Sequence, residues 1–184
     1  MEIQGWLYRA KGPSRGLIVQ VHGGPTAHSE AALSAFIQSA VAAGFSVLDP
    51  NYRGSTGFGV AFREAIRKTG WGGLEQDDIR PYSEEMMGGS PAMAPERYRE
   101  RSPIHSVERI KGRLLIVQGA NDPNVTPENV RVVEEALRRA HVPYETLLFA
   151  DEGHGVRKPE NLRVLYARLI AFFGDAFARF DARS

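Results

Sequence analysis

Two short apolar runs in the second half of the chain, each followed by a polar turn, most constrain what this sequence can fold into. Arg113–Gln118 precedes the turn that ends at Asp122, and Tyr144–Phe149 precedes the turn that ends at His154. Short apolar runs bounded by glycine and polar residues are typical of buried strands in a parallel sheet. Functional side chains of open α/β sheets gather at the carboxyl ends of such strands. The pattern therefore predicts that Asp122 and His154 serve as the orienting acid and the general base of a Ser-His-Asp triad.

A second pair of apolar runs lies in the first half of the chain. Leu17–Val21 and Phe45–Asp49 also have the character of buried strands, and the first runs directly into His22, Gly23 and Gly24. Two glycines after a strand allow a sharp turn that presents backbone N–H groups. In an acyl-transfer enzyme such donors face the oxyanion. A plain strand-to-helix turn fits this motif equally well.

The remaining pattern places helices between the predicted strands. Together they indicate an α/β fold, with a mostly parallel sheet flanked by helices. Glu2–Arg9 predicts an edge strand, and Thr126 precedes Pro127 as an N-terminal helix cap. The first predicted helix begins at Ser29, with Leu33, Phe36, Ile37, Ala40 and Val41 facing inward. Further helices are predicted over Val60–Lys68, after Thr126 and, at the end of the chain, over Lys158–Phe180.

Composition excludes several classes of function. The chain has 184 residues, a net charge of +1 and no cysteine. We therefore expect one domain, no nucleic-acid partner and no thiolate metal site. His28, His105 and His141 lack ligand spacing, so no metal and no cofactor is predicted. With no signal-peptide pattern and no membrane-spanning run, the expectation is a cytoplasmic protein without membrane contact.

Seven sequence blocks together resemble one known family. In order they are HGGP, NYRGSTGFG, WGGLEQDD, MGGSP, RSPI, QGANDPNV and DEGHG, and they extend over nearly the whole chain. They resemble the catalytic α/β-hydrolase domain of the prolyl oligopeptidase family of serine peptidases, with acylaminoacyl-peptidase or dipeptidyl-peptidase-like members as the closest subgroup. The resemblance implies short peptide or acyl-peptide substrates. It also assigns Asp122 and His154 to the triad and His22, Gly23 and Gly24 to the oxyanion side, with a backbone N–H from Gly24. The N-terminal β-propeller of the family is expected to be absent.

The nucleophile that this resemblance requires has no counterpart. In the family a central strand delivers a serine within G-x-S-x-G after the WGGLEQDD block, whereas here Ile79 passes directly into Arg80–Pro91. A strand–helix–strand unit on the order of 30 residues is missing, with the apparent junction at residues 79–81. Ser90 lies in a Gly-Gly-Ser-Pro sequence, but no buried strand precedes it and Pro91 has no N–H for an oxyanion. Ser55, in a glycine-rich loop, is no better placed. We predict no nucleophilic serine.

Three interpretations follow, and whether the chain is an enzyme stays open among them. The first is a single truncated or internally deleted α/β-hydrolase domain, residues 1–184, that is inactive in the family reaction. The second is a working esterase or peptidase that uses a serine outside an elbow. The third is a non-catalytic interaction module that self-associates through exposed sheet edges.

Overall fold

The structure, a computed structural model, describes residues 2–24, 27–69, 84 and 87–181. The predicted junction at residues 79–81 lies outside the described residues. The chain divides into two compact units, one formed by Met1–Thr69 with Arg163–Ser184 and the other by Gly70–Leu162. No helix among the described residues combines the length and apolar character that crossing a bilayer requires.

The first unit contains a three-stranded sheet. Its strands are β1 (Gln4–Tyr8), β2 (Leu17–Val19) and β3 (Ser46–Asn51), in the order β1-β3-β2. β2 runs parallel to β3, whereas β1 pairs antiparallel with it. The predicted edge strand and the predicted parallel pair are confirmed. β2 is shorter than predicted, because its ladder with β3 ends at Val19 and only the N–H of Gln20 continues it, to the Leu48 carbonyl at 2.8 Å.

The core of the first unit lies between this sheet and two helices, α1 (Ala35–Ala42) and the part of the closing helix from Arg163 onward. Phe45 is fully buried, and its ring centroid lies 6.5 Å from that of Phe173 and 5.6 Å from that of Phe177. The closing helix therefore covers this sheet with the rings of Phe173 and Phe177. The core consists of Ile18, Ile37, Ala40, Phe45 and Val47.

The predicted start of the first helix is wrong. The helix begins after Ser34, whose hydroxyl accepts a backbone N–H of the first turn. Ser29 has a different role, because its hydroxyl donates to Asp49 at 2.6 Å and its N–H donates to the Asn51 side chain at 2.7 Å. Leu33, predicted to face inward, precedes the helix and is 90% exposed. Asp49 and Asn51 at the end of β3 thus bind Ser29, in the segment that the apolar periodicity assigned to the first helix.

The second unit contains one parallel strand pair. β4 (Leu114–Gly119) and β5 (Tyr144–Phe149) are in register from Leu114 opposite Tyr144 to Gly119 opposite Phe149, which confirms the predicted second pair. Between β3 and β4 the described part of the chain contains no strand. The other helices are α2 (Val60–Thr69) of the first unit, α3 (Pro95–Arg101), α4 (Pro127–Arg139), α5 (Pro159–Asp181), and the 3₁₀ turns Pro103–His105 and Val107–Arg109.

The connection between β4 and β5 is helix α4, which packs against β4. Leu137 of this helix is fully buried, and Val142 and Phe149 are nearly so. Thr126 occupies the N-cap position with Pro127 after it, as predicted, but its side chain makes no capping hydrogen bond. The helix start therefore depends on the fixed backbone angle of proline more than on the threonine hydroxyl.

Candidate active site

The loops after β4 and β5 bring Asp122 and His154 together. Gly119 and Phe149 are register partners at the carboxyl ends of two parallel strands. Both loops therefore leave the sheet at the same end of the strands. The Nδ1 atom of His154 lies 2.9 Å from Oδ2 of Asp122. The Asp122 side chain is 7% exposed and the His154 side chain 59% exposed. A buried carboxylate thus holds an imidazole ring that reaches solvent.

Asp122 is oriented by its own turn. Its Oδ1 atom accepts hydrogen bonds from the backbone N–H of Asn124 at 2.8 Å and of Val125 at 2.9 Å, which leaves Oδ2 for His154. Burial raises the pKa of this carboxyl, but the hydrogen bonds from Val125, His154 and Asn124 outweigh it, so the pKa lies below its ordinary value. An ionised carboxylate only accepts hydrogen bonds, so Nδ1 of His154 is the donor. In the neutral ring Nε2 is then the free basic atom.

The two loops are fastened to each other by backbone contacts. The N–H of Asn121 donates to the Glu152 carbonyl at 2.9 Å, and the Asn121 side chain donates to the Ala150 carbonyl at 3.2 Å. Gly119 lies directly beneath this contact, and a Cβ at this position would collide with the carbonyl oxygens of Glu152 and Gly153. The glycine at the end of β4 therefore permits the approach on which the distance between Asp122 and His154 depends.

Glu152, which the sequence patterns did not single out, anchors the histidine loop. Its side chain is buried and accepts the backbone N–H groups of Lys158 at 2.9 Å and Arg157 at 3.2 Å, together with the Asn161 amide at 2.8 Å. The Asn161 bond, with those from Lys158 and Arg157, holds the pKa of this carboxyl below its ordinary value despite burial. No spacing signal marked Glu152 in advance, because the N–H groups that it binds precede the helix that begins at Pro159.

Asp151, the neighbour of Glu152, makes a different set of contacts. It is exposed, and its carboxylate binds the Lys158 ammonium and accepts the Asn161 amide at 2.9 Å. It makes no described hydrogen bond to the ring of His154. The two adjacent acids therefore differ, because the buried one supports the loop backbone and the exposed one forms a surface ion pair.

The His22–Gly23–Gly24 turn belongs to the first unit, whereas Asp122 and His154 belong to the second. Gly24 has a φ of 130°, a conformation that favours glycine. Among the described residues no acceptor binds the N–H of Gly23 or Gly24. The His22 ring is stacked on Tyr52 and lies 2.8 Å from the hydroxyl of Ser55. The turn is thus supported from the loop that follows β3.

The comparison with known proteins gives the family. The sequence model of the Prolyl oligopeptidase family matches residues 31–80 and 69–179. The chain belongs to the prolyl oligopeptidase family. The resemblance inferred from the seven blocks is confirmed.

Individual relatives agree with this assignment. The chain is 28% identical over 214 aligned residues to Dipeptidyl peptidase family member 6 of Caenorhabditis elegans, a match that covers 79% of the chain and 29% of that relative. A Mycobacterium tuberculosis puromycin-hydrolyzing peptidase matches with a TM-score of 0.83 at 23% identity, over 95% of the chain and 37% of that protein. An acylaminoacyl peptidase of Pyrococcus horikoshii matches with a TM-score of 0.83 at 18% identity, over 96% of the chain and 40% of that protein. These likenesses confirm the predicted α/β-hydrolase fold, and the chain spans well under half the length of the proteins it matches.

The family reaction needs a serine, and the described serines do not meet that need. Ser55 is fully buried, and its hydroxyl lies 2.7 Å from the Tyr52 carbonyl. Ser90 follows Gly88 and Gly89, and the described residues just before them, Glu84 and Met87, are helical. Among the described residues no side chain hydrogen-bonds to Nε2 of His154. Ser83 lies outside the described residues.

The arginine-rich segment around α3 has mainly structural contacts. The Arg97 guanidinium donates to the Met87 carbonyl, and the Tyr98 hydroxyl donates to the Gly89 carbonyl at 3.1 Å. These bonds hold the MGGSP turn against α3. Within the described part of the chain no group of three His, Cys, Asp or Glu side chains is placed to hold a metal ion.

Proposed function

We propose that the chain carries the acid–base half of a serine-peptidase site and does not perform the family reaction by itself. Asp122 orients His154, His154 is the general base, and the N–H of Gly24 is an oxyanion donor. The proposal rests on the 2.9 Å hydrogen bond from Nδ1 of His154 to buried Asp122, which leaves Nε2 of His154 without a described partner. The proposed substrates of an intact site are short peptides or acyl-aminoacyl compounds, and the cytoplasmic location stays a prediction.

In a complete site these residues have defined roles. Nε2 of His154 takes the proton of a serine hydroxyl while the serine oxygen bonds to the scissile carbonyl carbon. The negative charge that develops on the carbonyl oxygen is stabilised by backbone N–H donors such as that of Gly24. The imidazolium, stabilised by ionised Asp122, then donates its proton to the leaving amine as the C–N bond breaks. Water hydrolyses the acyl-enzyme by the same proton path.

Three observations support the proposal that a nucleophile-bearing unit of the relatives has no counterpart here. The family model matches in two segments that meet at residues 69–80. The alignment with the Caenorhabditis elegans relative extends over 214 residues, more than the 184 of the chain, although it covers 79% of the chain. The described residues between β3 and β4 form no strand. All three are expected if the relatives have extra residues near positions 79–81.

Labelling with a fluorophosphonate tests the proposal. These reagents modify a serine whose hydroxyl is activated by a base within hydrogen-bond reach. With no such serine facing His154, we expect intact-mass spectrometry to show no stoichiometric adduct, while an intact family peptidase labelled in parallel is modified completely. A single adduct mapped to Ser90, Ser83 or Ser55 would instead support an active esterase or peptidase that uses a serine outside an elbow.

A second candidate function is an interaction module that self-associates. β2 is a terminal strand of its described sheet; Leu17 and Val19 within it are 49% and 56% exposed, and Val21 just beyond it is 63% exposed. An apolar strand with a free edge pairs readily with another chain. We expect light scattering at tens of micromolar, roughly the range in which exposed edges associate, to give the molar mass of a dimer. Val19→Lys should shift it to the monomer, and a monomeric wild type would exclude this candidate.

A further inference from the structure

His22 makes a set of contacts that fixes its ring on three sides. The ring is stacked on that of Tyr52, with centroids 4.4 Å apart and planes 20° apart. Its Nε2 atom lies 2.8 Å from Oγ of Ser55, and its Nδ1 atom lies 2.8 Å from the carbonyl oxygen of Gly23. The Tyr52 hydroxyl also donates to the carbonyl oxygen of His22 at 2.7 Å.

The contact with Gly23 requires a proton on Nδ1 of His22, because a carbonyl oxygen has no hydrogen to donate. In the charged ring both nitrogens carry protons, so Nε2 donates to Oγ of Ser55 and the Ser55 hydroxyl donates to the Tyr52 carbonyl, 2.7 Å away. In the neutral ring with the proton on Nδ1, Nε2 accepts the single hydroxyl proton of Ser55, which then no longer binds the Tyr52 carbonyl. Ser55 is fully buried, so water does not compete for its oxygen.

The same contact determines the direction of a backbone N–H. The peptide bond between Gly23 and Gly24 is planar, and in its trans form the C=O of the first residue and the N–H of the second point in opposite directions. A proton donor that holds the Gly23 oxygen therefore sets the direction of the Gly24 N–H. Two glycines give this peptide plane unusual rotational freedom, and both residues are exposed.

We propose that His22 is a positioning residue that holds the Gly24 N–H in one direction, and that Tyr52 and buried Ser55 fix the His22 ring for this purpose. The oxyanion role of Gly24 belongs to the proposed function. The orientation of its N–H by His22 does not depend on that role. Ser55, which the sequence analysis rejected as a nucleophile, is assigned a supporting role here.

Nuclear magnetic resonance of the chain as it exists tests this without any enzymatic activity. In wild type labelled with both ¹⁵N and ¹³C we expect Nδ1 of His22 to be protonated and to show a coupling across the hydrogen bond to the Gly23 carbonyl carbon. Free neutral imidazole side chains favour the other tautomer, so this signature does not arise by default. An unprotonated Nδ1 in the wild-type chain would overturn the proposal.

Matched variants separate positioning from general support of the fold. His22→Asn places an amide donor near the position of Nδ1 and should keep the Gly24 amide resonance close to that of wild type. His22→Gln places its amide near the position of Nε2 and should shift or broaden that resonance. Equal Gly24 resonances in folded His22→Asn and His22→Gln would contradict the proposal.

A second pair of variants tests the support from Ser55. Ser55→Ala should populate the Nε2-protonated tautomer of His22 and disturb the Gly24 amide. Thr56→Val removes the neighbouring hydroxyl, which lies 2.8 Å from Nδ1 of His28, and should leave both signals unchanged. A folded Ser55→Ala variant with wild-type signals would remove Ser55 from the proposal. If that variant does not fold, the tautomer of His22 in the wild-type chain still decides the outcome.

Discussion

Insertion of a relative's strand–elbow–helix–strand segment between Ile79 and Arg80 is expected to raise turnover of an acyl-aminoacyl p-nitroanilide by about 10⁶-fold. Triad members act as a unit, and a triad that lacks its serine loses catalysis of this order. The inserted strand would supply the nucleophile, and the residue after it a second oxyanion N–H. Because Asp122 already orients His154, the gain should be large and not incremental.

Two variants of the chimera serve as controls for this insertion. The same insertion with alanine in place of the elbow serine should fold equally well by circular dichroism and show only background turnover. His154→Ala in the active chimera should also return turnover to background. A folded chimera that stays inert, or one that retains its activity without His154, would show that the roles proposed for Asp122 and His154 are wrong.

Asp122→Asn in the same restored chain is expected to lower kcat by about 10⁴-fold with little change in fold. The asparagine oxygen can still accept the N–H groups of Asn124 and Val125, which bind Oδ1 in the wild-type chain. Its amide group would then face Nδ1 of His154 as a donor and favour the tautomer in which Nε2 carries the proton. That tautomer cannot accept a proton from serine at Nε2.

The matched control for this substitution is Asp151→Asn. Asp151 lies in the histidine loop and is exposed, and it binds Lys158 and Asn161 without a described bond to the His154 ring. We expect its kcat to stay within about threefold of the restored chain, because an exposed ion pair contributes little. Steady-state kinetics of both variants gives the comparison. A loss of less than tenfold in Asp122→Asn would count against the orienting role of Asp122.

Strands were the most predictable part of this fold. The run Tyr144–Phe149 is bounded by a proline and an acidic turn, and the structure gives a strand with those limits. The first helix was mispredicted because its apolar spacing continues backward to Leu33. The spacing contains no information about Asp49 and Asn51, which bind Ser29 across about 20 residues of sequence. Local periodicity predicts the element, and long-range polar contacts set where it starts.

The site was predictable only in part, for a related reason. Asp122 and His154 could be paired from sequence because each follows a strand, and the carboxyl ends of neighbouring parallel strands lie side by side. Glu152 and Ser55 were not recognised, since their importance comes from burial and from specific acceptor atoms. The contact between His22 and Ser55 joins residues 33 positions apart, and no spacing rule relates them.

Every described hydrogen bond that holds the pair of Asp122 and His154 lies between Gln118 and Asn161. Within the described residues, the acid and the base are therefore assembled by one contiguous stretch of chain. Such a stretch can be inherited intact while the nucleophile is lost, replaced or moved. The serine nucleophile and the pair of Asp122 and His154 are then separable parts of the site. The serine is the part that evolution or protein engineering can exchange.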